Sequence, residues 1–220
     1  GIICPEIHPL LMQCVASVAD PAFLPEAEEA GADVVELRLD LFPASLSAAQ
    51  QKCVRQCTLP MIVTVRSRQE GGNFRGAPDD WWAVVSPWLA EATYIDVEQD
   101  FSMLAPLILD EGAAIIASFH SGRMLLSGEL GAVASRLRAY GIPKVVVRPE
   151  TPIDVLTLCW FTQRAEKPII TSIIGSHYRY ARVMLPLFGS EMAFAYAGKA
   201  TAEGQYPVRE MRQLVDALRE

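Results

Sequence analysis

Residues 30–40 read AGADVVELRLD. A short turn, AGAD, leads straight into an apolar run in which Glu36, Arg38 and Asp40 occupy alternate positions. Alternate residues of a strand point the same way, so these three charges share one face. Charges on an inward face are costly unless they pair or hold a ligand. The unit is not isolated: EGAA at 111–114 opens another apolar run in the same manner, and longer loops follow the runs.

Working outward, the runs read as strands are Met12 to Val18, Asp33 to Asp40, Met61 to Arg66, Thr93 to Glu98, Ala113 to His120, Pro143 to Arg148, Pro168 to Ile174 and Glu191 to Tyr196. They recur about every 26 residues, close to the length of a compact strand, loop and helix unit. Between them lie segments of helical periodicity: Ala22 to Ala30, Ser45 to Gln56, Asp79 to Ala92, Ser127 to Tyr140, Pro152 to Ala165 and Pro207 to Leu218. Ser45, Pro78 with Asp79 and Asp80, and Thr151 with Pro152 read as helix starts. Gly31, Gly112 and Gly141 stand where a left-handed residue ends a helix. Strands and helices alternating through 220 residues predict an α/β fold, a single-domain (β/α)8 TIM barrel over residues 1–220. An open doubly wound sheet is the alternative, but neither GxGxxG nor GxxxxGK[ST] is present. The stretch EGGNFRGAPDD, residues 70–80, reads as one mobile loop at the barrel mouth.

Composition narrows the function. With 19 basic and 26 acidic side chains the net charge is −7, and no basic block is present to hold a phosphate backbone, so nucleic acid is not expected as a partner. No apolar run approaches the roughly 18 residues of a membrane span, and the first ten residues lack the pattern of a secretory signal. Cys4, Cys14, Cys53, Cys57 and Cys159 are odd in number and scattered, which suits reduced thiols and a cytoplasmic location. His8, His120 and His177 are too far apart in sequence to suggest a zinc site. The chain opens on Gly rather than Met, as a processed, tagged or excised piece of a longer protein would.

In a barrel the active site forms where strands end and the following loops begin. The third strand ends in TVRSRQEGG, with Arg66 in the strand and Glu70 in the loop; the fourth ends in YIDVEQD, with Asp96 and Glu98 alternating; the fifth ends in His120. In IPKVVVRPE, Lys144 interrupts a run that is to be buried on both faces. Burial and nearby cations such as Arg38 and Arg66 are expected to favour its neutral amine, a nucleophile towards a ketone. A lysine for an iminium beside a histidine for proton transfer points to a Schiff-base lyase or aldolase. A structural layer of ion pairs, with a solvated lysine and a hydrogen-bonded histidine, accounts for the same residues without chemistry.

These residues stand in ordered motifs: MQCVASVAD, AGADVVELRLD, TVRSRQEGG, YIDVEQD, His120, IPKVVV, PIITSIIG and ATAEGQYPV. In this order and spacing, running nearly the whole chain, they resemble the type I 3-dehydroquinate dehydratases of the shikimate pathway. The resemblance implies a barrel, commonly a homodimer, that removes water from 3-dehydroquinate to give 3-dehydroshikimate with no metal and no cofactor. It implies Lys144 as the iminium-forming residue, His120 as the general acid and base, and Glu70 as the carboxylate that orients the histidine. Glu36, Arg38, Arg66, Arg182, Thr201 and Gln205 are implied as substrate contacts, with Arg182 taking the carboxylate. Asp96 and Glu98 are read as structural and electrostatic. A fused shikimate dehydrogenase domain is a further partner that an excised chain could have lost.

The chain departs from the family pattern at several points. Ser121 follows the histidine where Asp is usual, Thr201 replaces Ser, Arg148 stands where Met is frequent, and 176–181 is bulkier, with Arg179 as a second candidate for the carboxylate. Two other readings remain. A metabolite sensor of the same fold would have lost Lys144 or His120, and both are present. An aldolase for a phosphorylated sugar would carry a phosphate cradle on the seventh and eighth loops, for which Gly175 and Ser176 are weak candidates.

Overall fold

The computed structural model describes residues 12–218; Cys4 and His8 lie outside them. Eight parallel strands follow one another in chain order: β1 Gln13–Val18, β2 Val34–Arg38, β3 Met61–Thr64, β4 Tyr94–Glu98, β5 Ala114–His120, β6 Ile142–Val147, β7 Ile170–Ile173 and β8 Met192–Tyr196. From β1 to β7 each strand pairs with the next, and β8 pairs with β1, for example Val15 with Phe194. The remaining seam, β7 to β8, has no ladder. It is closed by Glu191 N donating to Ile169 O at 2.9 Å, and by Ser190 Oγ, which accepts from Thr171 N at 3.0 Å and donates to Thr171 O at 3.2 Å. The fold is the expected (β/α)8 barrel.

The connecting helices are α1 Leu24–Glu29, α2 Ala48–Gln56, α3 Pro78–Val85, α4 Ala105–Asp110, α5 Ser127–Arg138, α6 Pro152–Arg164, α7 Ala181–Leu187 and α8 Val208–Ala217. Six were expected. The other two, α4 and α7, are short and almost wholly apolar, so they carry no amphipathic period to read. Helix α2 starts later than Ser45: Ser47 accepts from Gln50 N and donates its own N–H to the Gln50 side chain, a reciprocal cap. Thr151 and Asp154 cap α6 in the same way. Helix α3 ends at Val85 rather than Ala92, where Pro87 turns the chain into a 3-10 segment.

Gly31 and Gly112 adopt the left-handed conformation expected of them, with φ of 87° at both. Gly141 does not, and its smallness serves packing instead: a Cβ there would lie 2.7 Å from the carbonyl oxygen of Ile115. The loop read as mobile is a hydrogen-bonded turn. Phe74 N donates to Arg66 O at 3.1 Å, Arg68 N to Phe74 O at 2.9 Å, and Asn73 N to Asp40 Oδ2 at 3.1 Å.

The strand period sorts the side chains into two environments. Outward positions such as Val35, Leu37, Val63, Val65, Ile95, Val97, Val145 and Val147 pack against the helices. Each such burial contributes on the order of 1.5–3 kcal/mol before entropy is counted. Inside the barrel, Val15, Val34, Ile62, Ile116, Ile170 and Met192 form an apolar floor. Two residues further along the first seven strands, the inward positions become Ser17, Glu36, Thr64, Asp96, Ser118, Lys144 and Ser172, all buried, while β8 presents Phe194. This abrupt change of character locates the site at the C-terminal ends of the strands.

Candidate active site

The polar layer is interlocked. Lys144 Nζ donates to Asp96 Oδ2 at 2.9 Å, lies 3.7 Å from Glu36 Oε1 and sits 4.0 Å above the ring of Phe194. Glu36 also accepts from Ser17 Oγ and, at 2.9 Å, from Thr64 Oγ1. The groups nearest the amine are thus carboxylates and a ring face, not the cations Arg38 and Arg66 expected from the sequence. The stagger of parallel strands sets these neighbours. Asp96 on β4 and Glu36 on β2 face the centre at the level of Lys144, while Arg66 lies on the far side of Asp96.

Arg66 is the hub of that far side. Its guanidinium donates to Asp96 at 2.8 Å, Glu98 at 2.9 Å, Ser118 Oγ at 2.9 Å and Glu70 at 3.3 Å. Burial works against the charge on Asp96, but Arg66 and Lys144 outweigh it and hold the carboxyl well below its ordinary range. The same acids hold the Arg66 charge against its burial.

Asp40, expected on the strand beside Glu36 and Arg38, lies instead in a 3-10 turn at Leu39–Leu41, because β2 ends at Arg38. The turn brings its carboxylate back onto Arg38, with bonds of 2.9 Å to Nε and 2.8 Å to Nη2. Asp40 also accepts from the backbone N–H of Arg66 at 3.3 Å, so it fixes one Arg of the mouth and the strand end carrying the other.

His120, at the end of β5, has 13% of its side chain exposed. Glu70 Oε2 lies 2.8 Å from its Nδ1 and accepts its backbone N–H at 3.1 Å, holding both ring and main chain. Ser121 takes no part in holding the ring, since its hydroxyl accepts from Arg123 N at 3.2 Å. Burial, Arg66 and Lys144 push the imidazole well below its usual value. Burial, with Glu98 and Asp96 nearby, raises the Glu70 carboxyl to about 8 against the pull of Arg66. The two groups titrate as a coupled pair.

The opposite wall comes from β7, β8 and the loops after them. Arg182 is buried at the start of α7, donating through Nη2 to Glu203 O at 3.0 Å and through Nη1 to Ser172 Oγ at 3.4 Å, while its Nε has no partner among the described residues. Burial and the charge of Arg179 lower its pKa to about 10. Arg179 itself faces elsewhere, 3.7 Å above the ring of Tyr206. Gln205 Oε1 accepts from Thr201 N at 2.9 Å, Thr201 Oγ1 at 3.1 Å and Ala202 N at 3.0 Å, which folds the eighth loop into a compact turn.

Lys144, His120, Glu70, Glu36, Arg38, Arg66, Arg182, Thr201 and Gln205 all line one cavity of about 280 Å³, along with Arg148. Arg179 does not. Sequence reasoning missed further lining residues, among which Phe194, Ser172 and Glu203 stand out. Of these, the first two follow the inward alternation and could have been found from it; Glu203 lies in a loop, where no period applies. Among the described residues no group of three or more His, Cys, Asp or Glu side chains is arranged to hold a metal ion, and no helix is long and apolar enough to cross a membrane.

Comparison with known proteins decides the family. Residues 17–220 match the family model described as type I 3-dehydroquinase. The chain belongs to that family. The type I 3-dehydroquinase assignment makes it an enzyme, a dehydratase of the shikimate pathway by class. It is 43% identical to the 3-dehydroquinate dehydratase of Methanoregula boonei, over 94% of this chain and 100% of that one. Among solved structures it is similar to 3-dehydroquinate dehydratase from Geobacillus kaustophilus HTA426, with TM-score 0.83, 25% identity, and 94% and 91% of the two chains covered. The enzyme from Aquifex aeolicus VF5 is similar at TM-score 0.80 and 26% identity, covering 94% and 98%. The type I 3-dehydroquinase motifs and the cavity residues thus coincide in one place.

Proposed function

We propose that the cavity dehydrates 3-dehydroquinate to 3-dehydroshikimate through an iminium on Lys144. The free amine adds to the substrate ketone and water leaves. His120 removes a proton from the adjacent carbon, and the electron pair moves into the iminium to give an enamine. The enamine expels the neighbouring hydroxyl, protonated by His120 as it departs, and water then hydrolyses the iminium to release enone and lysine. The net change is loss of one water. Glu70 fixes the imidazole through both its ring nitrogen and its backbone N–H.

Arg182 takes the substrate carboxylate with its bidentate fork; Glu36, Arg38, Arg66, Thr201 and Gln205 contact the ring hydroxyls or position the groups that do. One observation carries this reading: a lysine amine and a histidine–glutamate pair open into the same small cavity, opposite a buried arginine that makes no salt bridge among the described residues. The phosphorylated-sugar alternative loses ground on the seventh and eighth loops. The hydroxyl of Ser176 donates to the Glu203 carboxylate at 2.9 Å, placing a negative charge where a phosphate would need donors.

The test is intact mass after incubation with 3-dehydroquinate and borohydride, which reduces an iminium to a stable amine, followed by peptide mapping. An adduct on Lys144 that is absent in Lys144→Ala is the expected result. Binding of substrate with no adduct would overturn the covalent step.

A further inference from the structure

The eighth loop, between β8 and α8, supplies Thr201, Ala202, Glu203 and Gln205 to the cavity lining. Internally it is stiffened by the Gln205 amide. Its attachments to the rest of the barrel fall into two kinds. Two run through arginines of the site: Arg38 Nη1 donates to Thr201 O at 3.5 Å, and Arg182 Nη2 to Glu203 O at 3.0 Å. A substrate carboxylate taken by Arg182 competes for those donors, so these attachments weaken when the loop is needed most. The others do not involve the proposed substrate contacts. Ser176 Oγ donates to Glu203 Oε1 at 2.9 Å, Arg148 Nη2 lies 3.8 Å from Glu203 Oε2, and Gly204 packs so closely on Gly175 that a Cβ would collide with its carbonyl oxygen.

We infer that the Glu203 carboxylate is a positioning residue: by bridging Ser176 on the seventh loop and Arg148 on the sixth, it holds the eighth loop over the site while Arg182 engages substrate. Arg148 is the ionic half of this latch and Ser176 the hydrogen-bonding half. Both side chains of the ion pair reach solvent, with 43% and 57% exposure, so the pair alone is weak and the latch depends on the hydroxyl as well. The consequence falls on substrate retention rather than on bond making, because Lys144 and His120 sit on other strands, away from the loop. The kinetic readout rests on the proposed dehydratase reaction; the exchange readout below does not.

The experiment measures KM and kcat, by absorbance of the enone product, for Glu203→Ala, Glu203→Gln, Arg148→Met and the Glu203→Ala/Arg148→Met pair. It adds amide hydrogen exchange across 200–206 without substrate. Glu203→Ala is expected to raise KM about tenfold with kcat falling less than about twofold, and to speed exchange in that segment. Glu203→Gln, which keeps an acceptor for Ser176, is expected to raise KM only about threefold. Arg148→Met should raise KM about threefold in the native background and have no further effect once Glu203 is Ala. Unaltered KM and exchange in Glu203→Ala, equal falls in kcat and kcat/KM, or additive effects of the pair would each overturn the assignment. If the native chain turns over no 3-dehydroquinate, the reaction assigned above fails, while exchange in Glu203→Ala still decides the latch.

Discussion

On the side of the cavity built by β3 to β6, each charged group touches an opposite one: Lys144 on Asp96, Asp96 on Arg66, Arg66 on Glu98 and Glu70, and Glu70 on His120. On the side built by β7, β8 and their loops, Arg182 is equally buried, yet among the described residues it touches only a carbonyl and a hydroxyl. A paired network resists rearrangement and fixes the positions of reacting groups, because removing any member strands a charge in a medium that solvates it poorly. A buried cation without an acid is an incomplete pair, and a carboxylate from outside completes it. On the proposed reaction, bond making falls to the first side and recognition to the second.

The largest expected effect therefore lies on the paired side. Lys144→Ala should lower kcat by at least roughly ten-thousandfold and abolish borohydride capture, since no other amine opens at that point. His120→Ala should lower kcat by roughly a hundred- to ten-thousandfold while leaving the iminium able to form, so that adduct still accumulates on Lys144. Adduct without turnover in the histidine variant, and neither in the lysine variant, is the pattern expected in the mass and absorbance assays. A His120 variant with native turnover would remove the proton-transfer role.

Arg182→Ala tests the other side. Losing charge-assisted bonds to a carboxylate costs about 1.5–3 kcal/mol, or roughly a ten- to hundredfold rise in KM with a much smaller fall in kcat. Arg179→Ala should change KM far less, because its guanidinium stacks on Tyr206 outside the cavity lining. Steady-state kinetics on the two variants read this directly. If Arg179→Ala has the larger effect, the carboxylate lies outside the cavity described above.

Most of the fold and of the paired side of the cavity could be read from the sequence because both follow a local period. The alternation that places Glu36, Arg38, Asp96 and Lys144 inward is the same alternation that buries Val35, Leu37 and Val145 outward. What could not be read depends on register and on loops. That Lys144 faces Asp96 and Glu36 rather than Arg38 and Arg66 is fixed by the stagger of strands 48 and more residues apart in sequence. Asp40 left its expected strand because a 3-10 turn offered its carboxylate two bonds to Arg38. Gly141 proved to be a packing glycine, since the approach of Ile115 is a tertiary fact. Glu203 belongs to a loop whose partners come from two other loops, and nothing in ATAEGQ alone names them.

The smallest effect in size, and the most specific, concerns the Glu70–His120 pair. With the Glu70 carboxyl raised to about 8 and the imidazole lowered, the pair keeps one proton at neutral pH and loses it near pH 8. Only after that loss does Glu70 accept from Nδ1–H, leaving the other ring nitrogen free to take a proton from carbon. The native kcat/KM should therefore rise with pH through a midpoint near 8. Glu70→Gln removes the group that stores the proton, so the lowered imidazole alone sets the limb, and its midpoint should move below 6.5, the ordinary histidine value. An amide can also hold the wrong tautomer, which should cost about tenfold at the plateau. The sign is what matters: whichever of the two groups holds the shared proton, losing the Glu70 carboxyl moves the limb to lower pH. A profile from pH 5 to 9.5 on both proteins reads the shift, and identical midpoints would show that the limb belongs to another group.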